Sequence, residues 1–234
     1  LLNKWSAEQE RGGAGAKARL QSLSAPGLIL YGLTVTFASV DWAMSLEPHW
    51  YSTIYGVLFM VGQALATLAF VLVTLMWMSR RPPMSEVLAP SHFHDLGTLM
   101  FAFVMLWAYV GFSQYLIIWS GNLPEETPWY IRRLEGGWGW IAGLLIVFHF
   151  AVPFLMLLSR ALKKRIAILG PVAAGMLVVR LADMYWMIAP AAHHGHFRVT
   201  FSDVLAPVAV GGLWMAFFLW QLKRRPLTPV ESPA

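Results

Sequence analysis

Residues 39–52 read SVDWAMSLEPHWYS and lie between two apolar runs, Pro26 to Ser45 and Ser52 to Met78. About 20 predominantly apolar residues cross a bilayer core, so each run is long enough to span. The join between them is a few residues long and holds Glu47, His49, Trp50 and Pro48. Pro48 disfavours helix at Glu47 and ends the first run. Trp42, Trp50 and Tyr51 are amphipathic rings of the kind that settle at a membrane–water interface. The stretch therefore predicts a tight helical hairpin at a membrane surface. In lipid the backbone must satisfy its own hydrogen bonds, and the absence of any strand pattern leaves helices as the solution.

Outward from the hairpin, four more apolar runs follow at 96–119, 137–162, 166–188 and 204–222. The expected fold is an all-α polytopic transmembrane bundle of six spans, about 26–45, 52–78 and these four. The expected domain organisation is a basic segment over 1–24, a six-helix domain over 25–225, and a disordered tail over 226–234. Pro26 is placed in the first turn of its helix, where its missing N–H costs nothing. Composition agrees: 58% of the 234 residues are hydrophobic and 12% are charged, about half the charged share of soluble domains.

The net charge of +5 would hint at nucleic acid in a soluble protein. Here it is the Lys and Arg excess of cytoplasmic loops, and no nucleic-acid partner is expected. With six spans, 13 Lys and Arg fall on the side of the termini and 3 on the other, with Arg180 inside a span. That bias predicts both ends in the cytoplasm, with the hairpin turn, the 120–136 loop and the 189–203 loop outside. The absence of cysteine excludes disulfides, thiolate-held iron–sulfur clusters and the CxxCH attachment of haem c. No signal peptide is visible, and the start Leu1-Leu2-Asn3-Lys4-Trp5 does not read as natural, so an N-terminally incomplete chain is expected.

The polar residues inside the spans carry the candidate chemistry. Arg180 and Asp183 are spaced i, i+3, on one face of the fifth span. A charge at mid-bilayer costs roughly 2.5–3.5 kcal/mol on insertion scales, so it keeps a partner or a water path. Either a structural ion pair or a proton relay fits. Asp41 lies about 22 Å along its helix from Pro26, at a depth like that of Arg180, and is a candidate partner for it. His149 precedes Pro153 by four residues. The proline removes the donor for the 149 carbonyl, which predicts a kink with an imidazole at the same depth. A core histidine bonded to Ser, Thr or Gln63 is the alternative reading; a haem ligand is disfavoured because no other span holds a histidine. Gln63 and Gln114 read as helix-packing glue.

His94 and Asp95 open the third span. Asp95 is expected as an N-cap or first-turn acid, with proton uptake as the second role. Glu125 and Glu126 are expected to pair with Arg132 and Arg133 at the surface. His193, His194 and His196 resemble a metal cluster, but loop spacing is weak evidence and no metal is expected. Glu47, Pro48, His49 and Trp50 form a short, rigid, aromatic turn that loses little entropy on binding. They are expected to touch a peripheral subunit.

The turn also resembles a known signature. Asp41 to Thr53 matches the pattern DWxMSLEPHWxST of the F subunit of bacterial alternative complex III, the quinol:cytochrome c oxidoreductase of the respiratory chain. A second long match is FAFVMLWAYVGFSQYLIIWSGNLPEETPWYIRRLEGGW, from Phe101 to Trp138. The subunit belongs to the NrfD/PsrC-like integral membrane family, whose members have more spans than this chain has room for. The resemblance therefore implies the C-terminal six helices of a longer fold.

It further implies a multi-pass subunit of the bacterial inner membrane with no catalytic residue, metal or redox cofactor of its own. Haem c and iron–sulfur clusters are expected in partner subunits, and quinol at a homologous membrane subunit. The implied partners are these subunits, membrane lipid and, in some assemblies, a terminal oxidase. Three functions compete at this stage. The first is a non-redox scaffold with a proton path through Asp41, His149, Arg180, Asp183, His94 and Asp95. The others are a purely structural anchor and a quinol-binding subunit in its own right.

Overall fold

The computed structural model describes residues 8, 15–193 and 196–224. The expected tail over 226–234, the start of the chain and His194 lie outside them. The described elements are all helical: α1 (Ala16–Trp42), a 3₁₀ turn (Met44–Leu46), α2 (Tyr55–Met78), α3 (Met84–Val87), α4 (Pro90–Gly121) and α5 (Thr127–Leu134), then α6 (Trp138–Leu145), a π segment (Ile146–Ala151), α7 (Val152–Leu158), α8 (Arg160–Lys163), α9 (Ile166–Ala192) and α10 (Phe201–Lys223). Six helical stretches are long and apolar enough to cross a membrane. The all-α, six-span class follows directly from the apolar runs.

Two compact units divide the chain, with the boundary inside α1 at Tyr31/Gly32. The smaller contains the first part of α1 and α10. There α1 begins at Ala16 rather than at the expected Pro26, which lies within the helix. Residues 16–21 are strong helix formers, and the Ser22 and Ser24 hydroxyls donate back to the carbonyls of Ala18 and Leu20. The propensity of this first stretch sets the helix start before the proline, and the hydroxyls add no support of that kind, since such back-bonding tends to bend a helix. Helix α10 is capped by Thr200, whose backbone N–H and hydroxyl both donate to the Asp203 carboxylate at 2.8 and 2.7 Å. It exposes Phe201, Leu213, Trp214 and Phe217, apolar surface suited to lipid.

The larger unit, Gly32–Phe197, holds the core. Helix α2 packs against α9 and α4, and α4 packs against α7. Several boundaries differ from the expected ones. Helix α4 starts at Pro90, capped by the His92 Nδ1 that accepts the Ala89 N–H at 3.1 Å. Asp95 is therefore inside the helix and not at its cap. The fourth span ends at Leu158, not 162, because Ser159 is extended (ψ 121°). The predicted kink at Pro153 takes the form of the π segment. The Val152 N–H donates to the Val147 carbonyl, one residue further back than in an α-helix, and such a π turn accommodates the missing proline donor. Asn122 (φ 46°) closes α4 in the left-handed conformation. Gly137 (φ 97°) turns the chain between α5 and α6, where a Cβ would come within 3.0 Å of Phe197.

Two apolar clusters fill this unit. One lies at the hairpin end and includes Met44, Trp50, Tyr55, Val110, Trp129 and Met187. The other lies toward the basic connectors and includes Leu65, Leu72, Met100, Val104, Leu157 and Leu169. Trp107 packs against both, and the buried His149, Arg180 and Asp183 sit at its level.

Candidate functional site: a buried polar layer

Helix α9 places Arg180 and Asp183 on one inward face, and both are buried. The spacing i, i+3 makes them neighbours on a helix surface, and the Arg180 Nη1 donates to the Asp183 Oδ2. Trp107 of α4 donates its indole N–H to the same oxygen at 3.1 Å. His149, in the π segment, brings Nδ1 to 3.7 Å from that oxygen. Its ring lies 3.9 Å from the Trp107 ring. Helix α2 contributes by omission: a Cβ at Gly62 would overlap the Arg180 guanidinium. The glycine gives the guanidinium its space against the α2 backbone. Three segments thus meet at one carboxylate, with α2 making room for its guanidinium partner, which is how a buried charge is made tolerable.

His149 is fully enclosed, and neither ring nitrogen makes a hydrogen bond among the described residues. No Ser, Thr or Gln63 partners it: Gln63 is exposed, and the ring is covered by Trp107.

A second charged group occupies the hairpin end. Glu47 is buried, with its carboxylate 2.7 Å from Arg133 Nη2 and 3.2 Å from Arg132 Nη1. Arg133 is also buried. It donates to the carbonyls of Trp129 and Met187 at 3.0 and 2.7 Å and lies 3.6 Å over the Trp129 ring. Trp186 donates its indole N–H to the Arg133 carbonyl, and Trp50 stacks on Trp129 at 4.7 Å. Burial pulls the Arg133 guanidinium down from its ordinary value, against the opposing pull of Glu47. This corrects the expected pairing of Arg132 and Arg133 with Glu125 and Glu126: the acid comes from 86 residues earlier in the chain.

Tyr55, at the start of α2, is buried in the apolar cluster of the hairpin end, edge-on to Trp50 and Trp129. The two charged groups sit at successive levels of α9, since the Met187 carbonyl that Arg133 reaches is one turn beyond Asp183. Beyond the Asp183 layer, toward the basic connectors, lies the apolar cluster of Leu65, Met100, Val104 and Leu169. His94 and Asp95 sit beyond that cluster, paired with each other at 3.4 Å, about 20 Å along α4 from Trp107.

Of the sequence candidates, His149, Arg180 and Asp183 come together. Asp41 does not: it is exposed near the end of α1, so the idea of Asp41 as a partner for Arg180 is set aside. Nor do His94 and Asp95 join the layer. In the turn, Pro48 and His49 are exposed, while Glu47 and Trp50 face inward. Trp107, Gly62, Tyr55 and the Glu47–Arg133 pair were not anticipated. Glu47 had a signal: a lone acid in an aromatic turn, three residues before Trp50. Gly62 and Trp107 had none beyond their place in apolar helices. Among the described residues, no group of three or more His, Cys, Asp or Glu side chains is arranged to hold a metal.

Compared with known protein families, the chain matches no family model. It also matches no curated protein.

Proposed function

We propose that the chain is a non-redox integral membrane subunit of a quinol:cytochrome c oxidoreductase of the alternative complex III kind. In this reading it lies in the bacterial inner membrane with both ends cytoplasmic. It acts as a scaffold for partner subunits that carry haem c and iron–sulfur clusters. The two long motif matches supply the family. The observation that carries the scaffold role is the close packing of the polar layer: one carboxylate satisfied by Arg180 and Trp107, with an apolar cluster beneath it. Such a layer ties α2, α4, the π segment and α9 into one register, because sliding any of them strands a buried charge. The exposed part of the hairpin turn, Pro48 and His49 with Tyr51, is the surface offered to a peripheral subunit.

One observation favours a second reading. The enclosed His149 imidazole, with Nδ1 3.7 Å from the Asp183 carboxylate and neither ring nitrogen hydrogen-bonded among the described residues, suits proton transfer within that half of the bundle. Quinol binding has less support, since the apolar groove of this unit contains no titratable lining residue.

Arg180→Leu and Asp183→Asn separate the readings. Each leaves one buried group without its partner, at about 3–5 kcal/mol. The scaffold reading expects less assembled complex on co-purification with the cytochrome and iron–sulfur subunits. Quinol oxidation and proton movement per assembled complex stay unchanged. Normal assembly with lost proton movement would replace the scaffold by the proton path.

A further inference from the structure

An apolar groove of about 450 Å³ runs between the π segment and α7 on one side and α9 on the other. Val152 and Met156 line one wall, and Ala167, Pro171, Gly175 and Val179 the other. From Ala167 to Val179 it follows α9 for about 18 Å. That is close to the depth of one leaflet, half of a hydrocarbon core of about 30 Å. Its two walls are joined at one end by the connector between Leu158 and Ile166. That connector carries Arg160, Lys163, Lys164 and Arg165. Arg160, Lys164 and Arg165 are exposed and have no carboxylate partner among the described residues. Lys163 is buried, with its ammonium 5.6 Å over the Phe101 ring. No acidic residue occurs between Glu135 and Asp183, so the walls and the connector bring no charge of their own to neutralise these cations.

We propose that this groove binds one anionic phospholipid, with an acyl chain between α7 and α9 and the phosphate at the Arg160–Arg165 connector. Three features select this occupant. The lining is apolar and carries no group to recognise a polar ring. Its length matches a single leaflet. The connector at its mouth carries four cations and no acid, and basic pockets between helices bind anionic headgroups. The site is independent of the polar layer, whose residues do not line it.

The test uses the purified full chain in neutral detergent, with phosphatidylglycerol and phosphatidylcholine of identical acyl chains. Bound lipid is counted by native mass spectrometry. Phosphatidylglycerol is expected to be retained at least about ten-fold better than phosphatidylcholine, since each Lys or Arg near an anionic lipid contributes about five-fold. Replacing Arg160, Lys164 and Arg165 together by Gln should abolish that preference. Gly175→Leu fills the groove, and a Cβ there meets nothing within 4 Å, so the fold tolerates it. This variant should lose both lipids while keeping the lipid-free melting temperature. Inorganic phosphate at matched concentration should give no protection against melting. Equal retention of the two lipids by the wild type, unchanged retention in Gly175→Leu, or full protection by inorganic phosphate alone would each overturn the proposal.

Discussion

Replacing Glu47 by Gln should be among the most damaging conservative changes in this chain. The substitution keeps the side-chain volume and removes one charge. Arg133 is then left buried, with two carbonyls and an aromatic ring but no anion. Removing one partner of a buried pair costs about 3–5 kcal/mol, because the other charge stays desolvated. Arg132 contacts the same carboxylate, but its side chain is 45% exposed. Exposed pairs contribute no more than about 1 kcal/mol. A chain of this size shifts by about 2–4 °C per kcal/mol. Glu47→Gln should therefore lower the melting temperature by roughly 6–20 °C, and Arg132→Gln by less than about 4 °C. Thermal unfolding in neutral detergent, followed by tryptophan fluorescence, measures both. A cycle with Arg133→Leu adds a check: the double variant should cost less than the sum of the singles by about 1–3 kcal/mol. Raising salt should leave the Glu47→Gln deficit in place, since buried pairs are little screened. Equal melting of Glu47→Gln and Arg132→Gln would show that the Glu47 charge does not compensate Arg133, and the account of the hairpin end would fall.

Further outcomes follow from the same packing. Gly62→Ala should cost about 1–3 kcal/mol by crowding the Arg180 guanidinium. Gly143→Ala, where a Cβ meets nothing within 4 Å, should gain up to about 1 kcal/mol of helix propensity. If the two behave alike in a melting assay, the guanidinium does not depend on that space; if the reasoning holds, the Gly62→Ala cost disappears in an Arg180→Leu background. Burial pushes the Tyr130 phenol above its ordinary value of 10.0, so the folded protein keeps that proton to higher pH than the unfolded chain. Its contribution is fully present below the unfolded pKa and is lost as pH rises beyond it, at up to about 1.4 kcal/mol per pH unit. Tyr130→Phe should show a shallower decline in melting temperature above about pH 10 than the wild type, and an identical slope would remove Tyr130 as the cause.

What the chain's residues determined alone was the class and the inventory. Apolar runs of bilayer length, with almost no charge inside them, admit only spanning helices, and that conclusion needs no knowledge of which helix touches which. The pairing of Arg180 with Asp183 was legible for the same reason: i, i+3 on one helix is a local relation. So was the disturbance at His149 and Pro153, although not its π form, because a missing donor can be absorbed in several ways and packing selects among them. The partners of Glu47 and Asp183 were settled only in three dimensions. Glu125 and Glu126 are nearer to Arg133 in sequence than Glu47, yet the chain reversal at the hairpin brings Glu47 against α5 and encloses the pair. Asp41 matched Arg180 in depth, but depth along an axis does not say which way a side chain faces, and its side of α1 is exposed. Trp107 and Gly62 have no sequence signature at all. An indole donor and a missing Cβ become part of a charge site only when separate helices meet at one level, and that meeting is a property of the packed bundle.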